Sequence, residues 1–302
     1  MIILWADSRW RDSFGLALLS HELDRLDVPN LVVSFDIVNE TLDTLEKYVS
    51  GVVLNHTIGQ RNRNIIKRTR RTASIFVMPT EGKVSPENSQ WFLDNSSDYD
   101  VMFSWTQEFS PPRTEFTGSP RFQIYTHYNH LIEDREYVLD KYRLPKDKKV
   151  SVFVSAYPQA KFKYKNTKFL VRDWEDLKRE GALENSRDSM NELSNFVRDI
   201  DHCKNTIVIR PHPMEDLGWW ERYQYDLKLR TGLDSYLISQ EYIYNLLQIQ
   251  DEWINKPYCT TELDKRLHSI HVKKENTENI GWASDVVTNT DSAKEIALII
   301  KN

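Results

Sequence analysis

The sequence predicts an α/β protein made of two domains, each a parallel sheet with crossover helices. Its 302 residues suit two domains of roughly 150 residues each. Short apolar runs rich in β-branched residues alternate with helical stretches, which is typical of parallel strands joined by helices. A charged stretch, 131–149, contains Pro145 and a KDKK turn and separates two such series, as expected of a domain connection.

The first series predicts a domain over residues 1–135. The segment Ser13–Leu26 places its leucines at steps of three and four, which predicts an amphipathic helix, and Thr41–Tyr48 repeats this pattern. The basic run Arg61–Arg71 is interpreted as a solvated helix face, with a membrane-surface or anionic-acceptor patch as the alternative. The predicted strands are Ile2–Trp5, Leu31–Phe35, Gly51–Leu54, Ile75–Met78 and Val101–Trp105.

The second series predicts a domain over residues 150–302. Its region Trp219–Lys265 is aromatic and polar and is interpreted as helical. The predicted strands are Val150–Ala156, Asn205–Arg210, His268–Val272 and Asp285–Thr288. The predicted helices are Ser186–Cys203, Glu275–Trp282 and Ala293–Lys301.

Composition excludes several classes of protein. Hydrophobic residues make up 40% and charged residues 28%, which indicates a folded, soluble chain. The net charge of −5 argues against nucleic acid as a partner, because nonspecific binding needs cationic surface. No apolar stretch approaches the roughly 20 residues of a membrane helix, and the N-terminus lacks the pattern of a signal peptide. Cys203 and Cys259 form no ligand or disulfide pattern, so we expect a cytoplasmic protein, with peripheral association at the inner face of the membrane left open.

The segment TIVIRPHP, Thr206–Pro213, carries the most specific local signal. A strand runs into a proline-bracketed turn that presents Arg210 and His212 at its carboxyl end, where open α/β sheets bind ligands. The two prolines restrict the directions open to His212, and the planar guanidinium of Arg210 suits a phosphate. The alternative is a structural histidine beside an arginine in an ion pair.

A second signal lies where the predicted strand Asp285–Thr288 meets the last helix. Thr290, Asp291 and Ser292 are expected at the helix N-terminus, where free backbone amides and the helix dipole favour a phosphate or a ribose hydroxyl. Asp291 equally fits a structural N-cap.

Two turns of the first domain complete the candidate set. Glu81 and Gly82 follow the strand Ile75–Met78, and a carboxylate there is placed to act as a general base toward an acceptor hydroxyl. In FTGSPRF, Gly118 and Pro120 shape a loop that presents Arg121. Gly82, Gly118 and Arg121 are therefore expected at a cleft. The alternative for Glu81 is a solvated turn acid, and the alternative for the loop with Gly118 and Arg121 is a turn at the domain edge.

Together these motifs resemble the bacterial surface carbohydrate biosynthesis proteins. That family is related to the capsule and lipopolysaccharide glycosyltransferases that use CMP-linked acidic sugars such as Kdo. The order and spacing of the motifs agree, which is more specific than any motif alone. The matching segments are Pro79–Gly82, Asp100–Trp105, Thr117–Arg121, Arg210–Trp219 and Thr288–Ala297.

The resemblance implies a GT-B-like fold, with two Rossmann-type domains facing a central cleft, and a metal-independent glycosyltransferase without a cofactor. The implied donor is a nucleotide sugar such as CMP-Kdo, and the implied acceptor is a glycan or a lipid-linked glycan. By the same resemblance, His212 and Ser292 hold the nucleotide phosphate with Arg210 beside them. Glu295 contacts the ribose, and Glu81 supplies the catalytic carboxylate.

Two departures from the family pattern bear on activity. Pro79 and Thr80 stand where the family's DEEG turn has its first two acids. The chain ends at Asn302, before the GKP strand and closing helices of the family, so a shortened C-terminal part is expected. A catalytically silent nucleotide-sugar-binding protein is therefore one alternative. A polyol-phosphate transferase of the CDP-glycerol type is another, because such enzymes also use an HP turn and later hydroxyls.

Other enzyme classes fit the sequence poorly. A metal-dependent GT-A enzyme needs Asp-x-Asp at the end of a strand, whereas Asp98–Asp100 precedes its strand and Asp199–Asp201 ends a helix. No GxGxxG follows the first strand, and no GxSxG is present, which argues against a nicotinamide-dependent enzyme and a serine hydrolase.

Overall fold

A computed structural model describes residues 1–6, 9–34, 37–54, 60–79, 96–105, 111–155, 196–198, 200–211, 217–254 and 291–302. These residues form two compact units. The first unit holds the described residues of 1–132 together with the C-terminal residues 291–302, and the second unit holds those of 133–254.

The first unit is built on a six-stranded, wholly parallel sheet with strand order β2-β1-β3-β4-β5-β6. Its strands are β1 (Ile2–Ala6), β2 (Asn30–Ser34), β3 (Gly51–Leu54), β4 (Ser74–Val77), β5 (Val101–Ser104) and β6 (Thr114–Phe116). Its first helices are α1 (Arg9–Arg25), α2 (Val38–Leu45) and α3 (Gln60–Thr69). The strand order reverses between β1 and β3, which is the switch point at which such sheets form a crevice.

Helices cover both faces of this sheet, and its central strands are apolar for that reason. In β1, Ile3 and Trp5 pack on one face, and Ile2 and Leu4 pack on the other. The first face is covered by buried residues of α2 and α3, which are Val38, Leu42, Ile65 and Ile66. The expected rhythm of parallel strands and crossover helices is confirmed for this unit.

The C-terminal helix α7 (Ser292–Lys301) belongs to the first unit. Its buried residues Ile296, Ala297 and Ile300 pack in one cluster with three leucines of α1, which are Leu16, Leu19 and Leu23. The assignment of residues 150–302 to a single second domain is thus corrected. Chain order does not show which sheet a terminal amphipathic helix covers, whereas packing against the leucine stripe of α1 does.

Helix α1 also approaches the turn that follows β6. A Cβ atom on Gly15 would lie 3.1 Å from the backbone nitrogen of Arg121, so a glycine permits the close contact between this helix and that turn. Arg121 lies in a 3₁₀-helix, Pro120–Tyr125, whose residues are largely buried. The turn before it contains Gly118 with φ of 70°, a left-handed conformation that favours glycine.

The second unit contains a four-stranded parallel sheet with strand order β10-β7-β8-β9. Its strands are β7 (Lys149–Val154), β8 (Asn205–Arg210), β9 (Ser235–Leu237) and β10 (Glu252–Ile254). Its helices with described bounds are α4 (Arg135–Lys141), α5 (Leu217–Thr231) and α6 (Ile243–Ile249). Successive residues of β7 again face opposite clusters, with Val152 on one face and Phe153 on the other.

Two parts of the second unit differ from the sequence prediction. Helix α4 lies inside the stretch 131–149 that was predicted to be a connection; the Asp134 carboxylate caps it by accepting the Tyr137 N–H at 2.7 Å. The region 219–265 was interpreted as helical; its described part contains most of α5 and all of α6, as expected, but also β9 and β10. Strands of three residues are too short to show an alternating pattern.

The basic run forms the exposed side of α3 and the turn after it. Arg68 pairs with Asp43 and Glu46, and Arg70 pairs with Asp100. This agrees with the interpretation as a solvated helix face. Among the cations of the run whose side chains the structure describes, Arg63, Lys67 and Arg71 are exposed. Separately, none of the helices within the described ranges is both long and apolar enough to cross a membrane.

Candidate functional site

Arg210 is the last residue of β8, at the carboxyl edge of the second unit's sheet. It stands beside Val154 of β7 in the strand register, and its backbone carbonyl accepts the Ser155 N–H at 2.9 Å. The next residue, Pro211, is buried. The structure therefore confirms that the strand ends where the RPHP sequence begins, and it places Arg210, a partly exposed residue, at the edge expected to bind ligands.

The guanidinium of Arg210 contacts the chain segment between β9 and α6. Its Nη2 donates to the backbone carbonyl oxygen of Glu241 at 3.3 Å. Just after β9, the Ile238 N–H donates to the Ile209 carbonyl at 2.9 Å. The residues that follow β9 therefore lie along the end of β8, at the same edge of the sheet as Arg210.

Glu241 carries a buried carboxylate and was not singled out from the sequence. The residue is 2% exposed. A charge at such a depth is costly unless hydrogen bonds satisfy it. Four donors do so: Lys141 Nζ at 2.8 Å, Tyr142 Oη at 2.5 Å, the Tyr242 N–H at 2.8 Å and Asn245 Nδ2 at 3.0 Å.

A second acid extends this network from α4 to α6. Glu133 Oε2 lies 3.1 Å from Lys141 Nζ and accepts from Asn245 Nδ2 at 3.2 Å, while the Glu133 N–H donates to Asn245 Oδ1 at 3.1 Å. Lys141 is thus shared by two carboxylates. We call Glu133, Lys141, Tyr142, Glu241 and Asn245 the Glu241 network.

The network shifts the ionisation of its members. Burial alone would raise the pKa of the Glu241 carboxyl, but its hydrogen bonds with Lys141 and Tyr142 hold that pKa below the usual value. Burial alone would lower the pKa of the Lys141 ammonium, but hydrogen bonds with Glu241 and Glu133 raise it. Burial and the hydrogen bond to Glu241 both raise the pKa of the Tyr142 hydroxyl. At neutral pH Glu241 is therefore a carboxylate and Lys141 an ammonium.

These shifts predict that the network's stabilising effect is lost in acid. Because the folded-state pKa of Glu241 lies below its usual 4.5, its contribution is complete above that value and disappears as the pH falls through the lowered pKa. We expect the wild-type protein to melt at a higher temperature than Glu241→Gln at about pH 7, and the gap to shrink by about pH 3.5. Thermal melts of both proteins across this range test it, and a gap that does not change with pH would contradict it.

In the first unit, the loop with Gly118 and Arg121 packs against the end of β5. The N–H groups of Thr117 and Gly118 both donate to the Ser104 carbonyl, at 3.2 and 3.1 Å. The guanidinium carbon of Arg121 lies 5.1 Å from the ring centroid of Phe122, in the geometry of a cation–π contact. Arg121 is partly exposed at the carboxyl edge of this sheet.

The start of α7 lies next to the same loop. The Ala293 N–H donates to Gln123 Oε1 at 3.1 Å, which satisfies one of the free amides at the helix N-terminus. Ser292 has no exposed surface, whereas Asp291 and Glu295 are exposed. The Asp291 side chain makes no capping hydrogen bond. The structure thus brings together two predicted motifs, the TGSPR loop and the start of the last helix.

The predicted residues are divided between the two units. Arg210 lies in the second unit. The first unit contains Gly118, Arg121, Asp291, Ser292 and Glu295. The expectation that Arg210 and the start of the last helix belong to one domain is corrected, because α7 packs on α1. Glu81, Gly82, His212 and Thr290 lie outside the described residues.

One acid of each Asp-x-Asp sequence, Asp100 and Asp201, has a described structural contact. Asp100 precedes β5, and its carboxylate accepts from the Arg70 guanidinium and from the Ile75 N–H, the latter at 2.8 Å. Asp201 lies in an exposed turn, and its carboxylate accepts the Cys203 N–H at 3.0 Å. Both contacts agree with their interpretation as turn acids.

Comparisons with known proteins identify the fold and no sequence family. No family model matches the chain, and no curated protein matches its sequence. A structure of the wall teichoic acid polymerase TagF, soaked with CDPG, is 12% identical, with a TM-score of 0.53 over 99% of this chain and 87% of that one. The UDP-GlcNAc 2-epimerase of Methanocaldococcus jannaschii, in complex with UDP-GlcNAc and UDP, is 10% identical, with a TM-score of 0.59 over 99% of this chain and 98% of that one.

These likenesses establish the fold class. The chain has the GT-B fold, with two Rossmann-like units built on parallel sheets, as the sequence resemblance implied. At 10 to 12% identity, these likenesses do not show that this chain has the activity of either protein.

Proposed function

We propose that the protein is a glycosyltransferase of bacterial surface polysaccharide assembly that uses a nucleotide-activated sugar, such as CMP-Kdo or a related CMP-sugar. The observation that carries the proposal is Arg210, which ends β8 at the carboxyl edge of a Rossmann-like sheet. Anionic ligands bind at such edges, and a guanidinium provides two parallel N–H donors for a phosphate. The next residues in the sequence, Pro211 and His212, continue the RPHP motif.

The reaction assigns a role to each predicted residue. The acceptor hydroxyl gives its proton to Glu81 while its oxygen bonds to the anomeric carbon, and the bond from that carbon to the phosphate oxygen breaks. Arg210 and His212 stabilise the charge that develops on the leaving phosphate. The remaining proposed donor contacts are Thr290, Asp291, Ser292 and Glu295, and Gly82, Gly118 and Arg121 are further proposed site residues. The full burial of Ser292 makes its hydroxyl the least accessible of the described donor contacts.

The proposed acceptor is a glycan or a lipid-linked glycan, and the proposed location is the cytoplasm. A lipid-linked acceptor would bring the protein to the inner face of the membrane. The exposed cations of α3 and of the turn after it, Arg63, Lys67 and Arg71, are then the surface that suits anionic headgroups.

A second candidate is polyol-phosphate transfer from CDP-glycerol. It is favoured by the likeness to the TagF polymerase structure soaked with CDPG. The catalytically silent alternative is favoured by Pro79 and Thr80, which leave Glu81 as the sole acid of the PTEG turn.

A ligand panel separates these candidates. Thermal melts with CMP, CDP, UDP, GDP, CMP-Kdo and CDP-glycerol show which ligand stabilises the fold. A ligand at 100 times its dissociation constant adds about 2.7 kcal/mol to the stability of the folded state. Stabilisation by a CMP-sugar supports the main proposal, and stabilisation by CDP-glycerol with transfer of glycerol phosphate supports the second. Donor binding without turnover on any acceptor supports the silent alternative.

We expect nucleotide binding and turnover to be independent of divalent metal. Neither Asp-x-Asp sequence follows a strand, and a cluster of Arg210 and His212 can neutralise the leaving phosphate in place of an ion. The measurement is nucleotide affinity and turnover after treatment with EDTA. Loss of either, with recovery on adding Mn²⁺ or Mg²⁺, would show that the expectation is wrong.

A further inference from the structure

We propose that Glu241 is a positioning residue for the donor site, which orients the guanidinium of Arg210 through its own backbone carbonyl. The proposal rests on the proposed function, in which Arg210 holds the donor phosphate. It adds a role for the Glu241 network, which neither the sequence motifs nor the reaction accounts for.

First, the backbone carbonyl of Glu241 contacts the guanidinium of Arg210 directly. The Nη2 atom donates to the Glu241 carbonyl oxygen at 3.3 Å, and this bond restricts the plane of the guanidinium. A carbonyl is a neutral acceptor, so this contact directs the side chain without adding a negative charge at that nitrogen. Such an acceptor suits an arginine whose charge is needed for a phosphate.

The second step is the rigidity of the carbonyl itself. The Glu241 side chain is anchored to α4 through Lys141 and Tyr142, and to α6 through Asn245. Its Oε1 also accepts the Tyr242 N–H at 2.8 Å, so the peptide group that carries the carbonyl is held directly. The backbone at position 241 therefore has little freedom to turn, and the carbonyl keeps its direction toward Arg210.

The third step is the requirement for a carboxylate. Each oxygen of Glu241 faces two donors: Oε2 faces Lys141 and Tyr142, and Oε1 faces the Tyr242 N–H and Asn245. A glutamine has the same shape, but in either orientation its NH₂ group would face one of these pairs of donors. Glu241→Gln is thus a small change that loosens the anchored peptide.

The chain offers a matched control at the other end of α6. The Asp251 carboxylate accepts from Arg135 Nη2 at 2.9 Å and from the Val150 N–H at 2.7 Å, so it too joins a cation and a backbone amide. It precedes β10, at the amino edge of the same sheet. Asp251→Asn therefore disturbs a comparable network in the same unit, away from Arg210 at the carboxyl edge.

The experiment is calorimetric titration with the nucleotide that gives the largest shift among CMP, CDP, UDP and GDP. We expect Glu241→Gln to raise the dissociation constant about three- to tenfold, the scale of one hydrogen bond. Asp251→Asn is expected to change it less than about twofold, since it lies outside the site. In an Arg210→Ala background, Glu241→Gln is expected to add less than about twofold, because the residue through which it acts is gone.

The last comparison separates positioning from general destabilisation, which would persist without Arg210. If Glu241→Gln does not fold, Tyr142→Phe takes its place, with an expected increase of about two- to threefold that again disappears in the Arg210→Ala background. An unchanged affinity in Glu241→Gln, or an equal loss in Asp251→Asn, would overturn the proposal while the proposed function stands. Two results would overturn both this proposal and the proposed function: a wild-type protein that binds none of the four nucleotides, or an Arg210→Ala variant that binds the nucleotide as tightly as the wild-type protein.

Discussion

Glu81→Gln is expected to lower turnover by a factor on the order of 10² or more, the scale of lost general base catalysis, while nucleotide affinity stays near the wild-type value. Glutamine keeps the size of the side chain but cannot accept the acceptor's proton. The strand β4 ends at Val77, and Met78 and Pro79 are buried, so the PTEG turn starts at the carboxyl edge of the first unit's sheet. Steady-state kinetics together with nucleotide titration measure the two effects separately.

A matched control is available in the same unit. Asp27 is an exposed turn acid between α1 and β2, at the amino edge of the sheet, and its φ of 58° is a conformation that asparagine also tolerates. Asp27→Asn should therefore leave turnover unchanged. Normal turnover in Glu81→Gln, with a loss of only about 1 kcal/mol of stability, would show that Glu81 merely caps its turn.

Arg210→Ala is expected to weaken nucleotide binding by about 1.5 to 3 kcal/mol, the range for a hydrogen bond to a charged group. The substitution removes the guanidinium from the end of β8 and leaves the strand itself, whose backbone bonds do not involve the side chain. Isothermal titration calorimetry provides the measurement, and Arg230→Ala is the control. Arg230 is exposed on α5, and its Nε donates to a carbonyl of its own helix, that of Asp226, at 3.3 Å. Equal affinities for the wild-type protein and Arg210→Ala would remove Arg210 from the site.

The strands that are buried on both faces could be predicted from the sequence with good accuracy. Asn205–Arg210 has the predicted bounds, and Gly51–Leu54 does as well. Both are continuous apolar or β-branched runs, because helices exclude water from each face of a parallel sheet. The strands that were not predicted, β6, β9 and β10, have three residues each, which is too short for an apolar or alternating pattern to be recognised.

Contacts between distant segments could not be predicted. Lys141 and Glu241 are 100 positions apart in the sequence, and the hydrogen bond between Ala293 and Gln123 spans 170 positions. No local spacing pattern could therefore predict either contact. The packing of α7 on α1 also joins segments that are distant in the sequence, and it could not be predicted for the same reason. An acid just before helix α6 was the one local signal for Glu241, and such an acid equally fits the start of any helix.

The site could be predicted in part. The RPHP motif located Arg210 at the end of its strand, because a proline after a β-branched run ends the strand at a definite residue. The contact between Arg210 and the Glu241 carbonyl was missed, because the sequence does not show which backbone carbonyl an arginine side chain will reach. The meeting of the TGSPR loop with the start of α7 was missed for another reason, which is that the two segments were assigned to different domains.

The proposed function requires that a nucleotide binds at the carboxyl edge of the second unit's sheet, where the RPHP sequence begins. The most direct measurement is calorimetric titration of the wild-type protein and of the double variant Arg210→Ala, His212→Ala with CMP, CDP, UDP and GDP. We expect the wild-type protein to bind at least one of these nucleotides, and the double variant to bind it at least about 100-fold more weakly, as expected from the loss of two charged contacts. Equal affinities in the two proteins, or no binding to the wild-type protein, would contradict the claim.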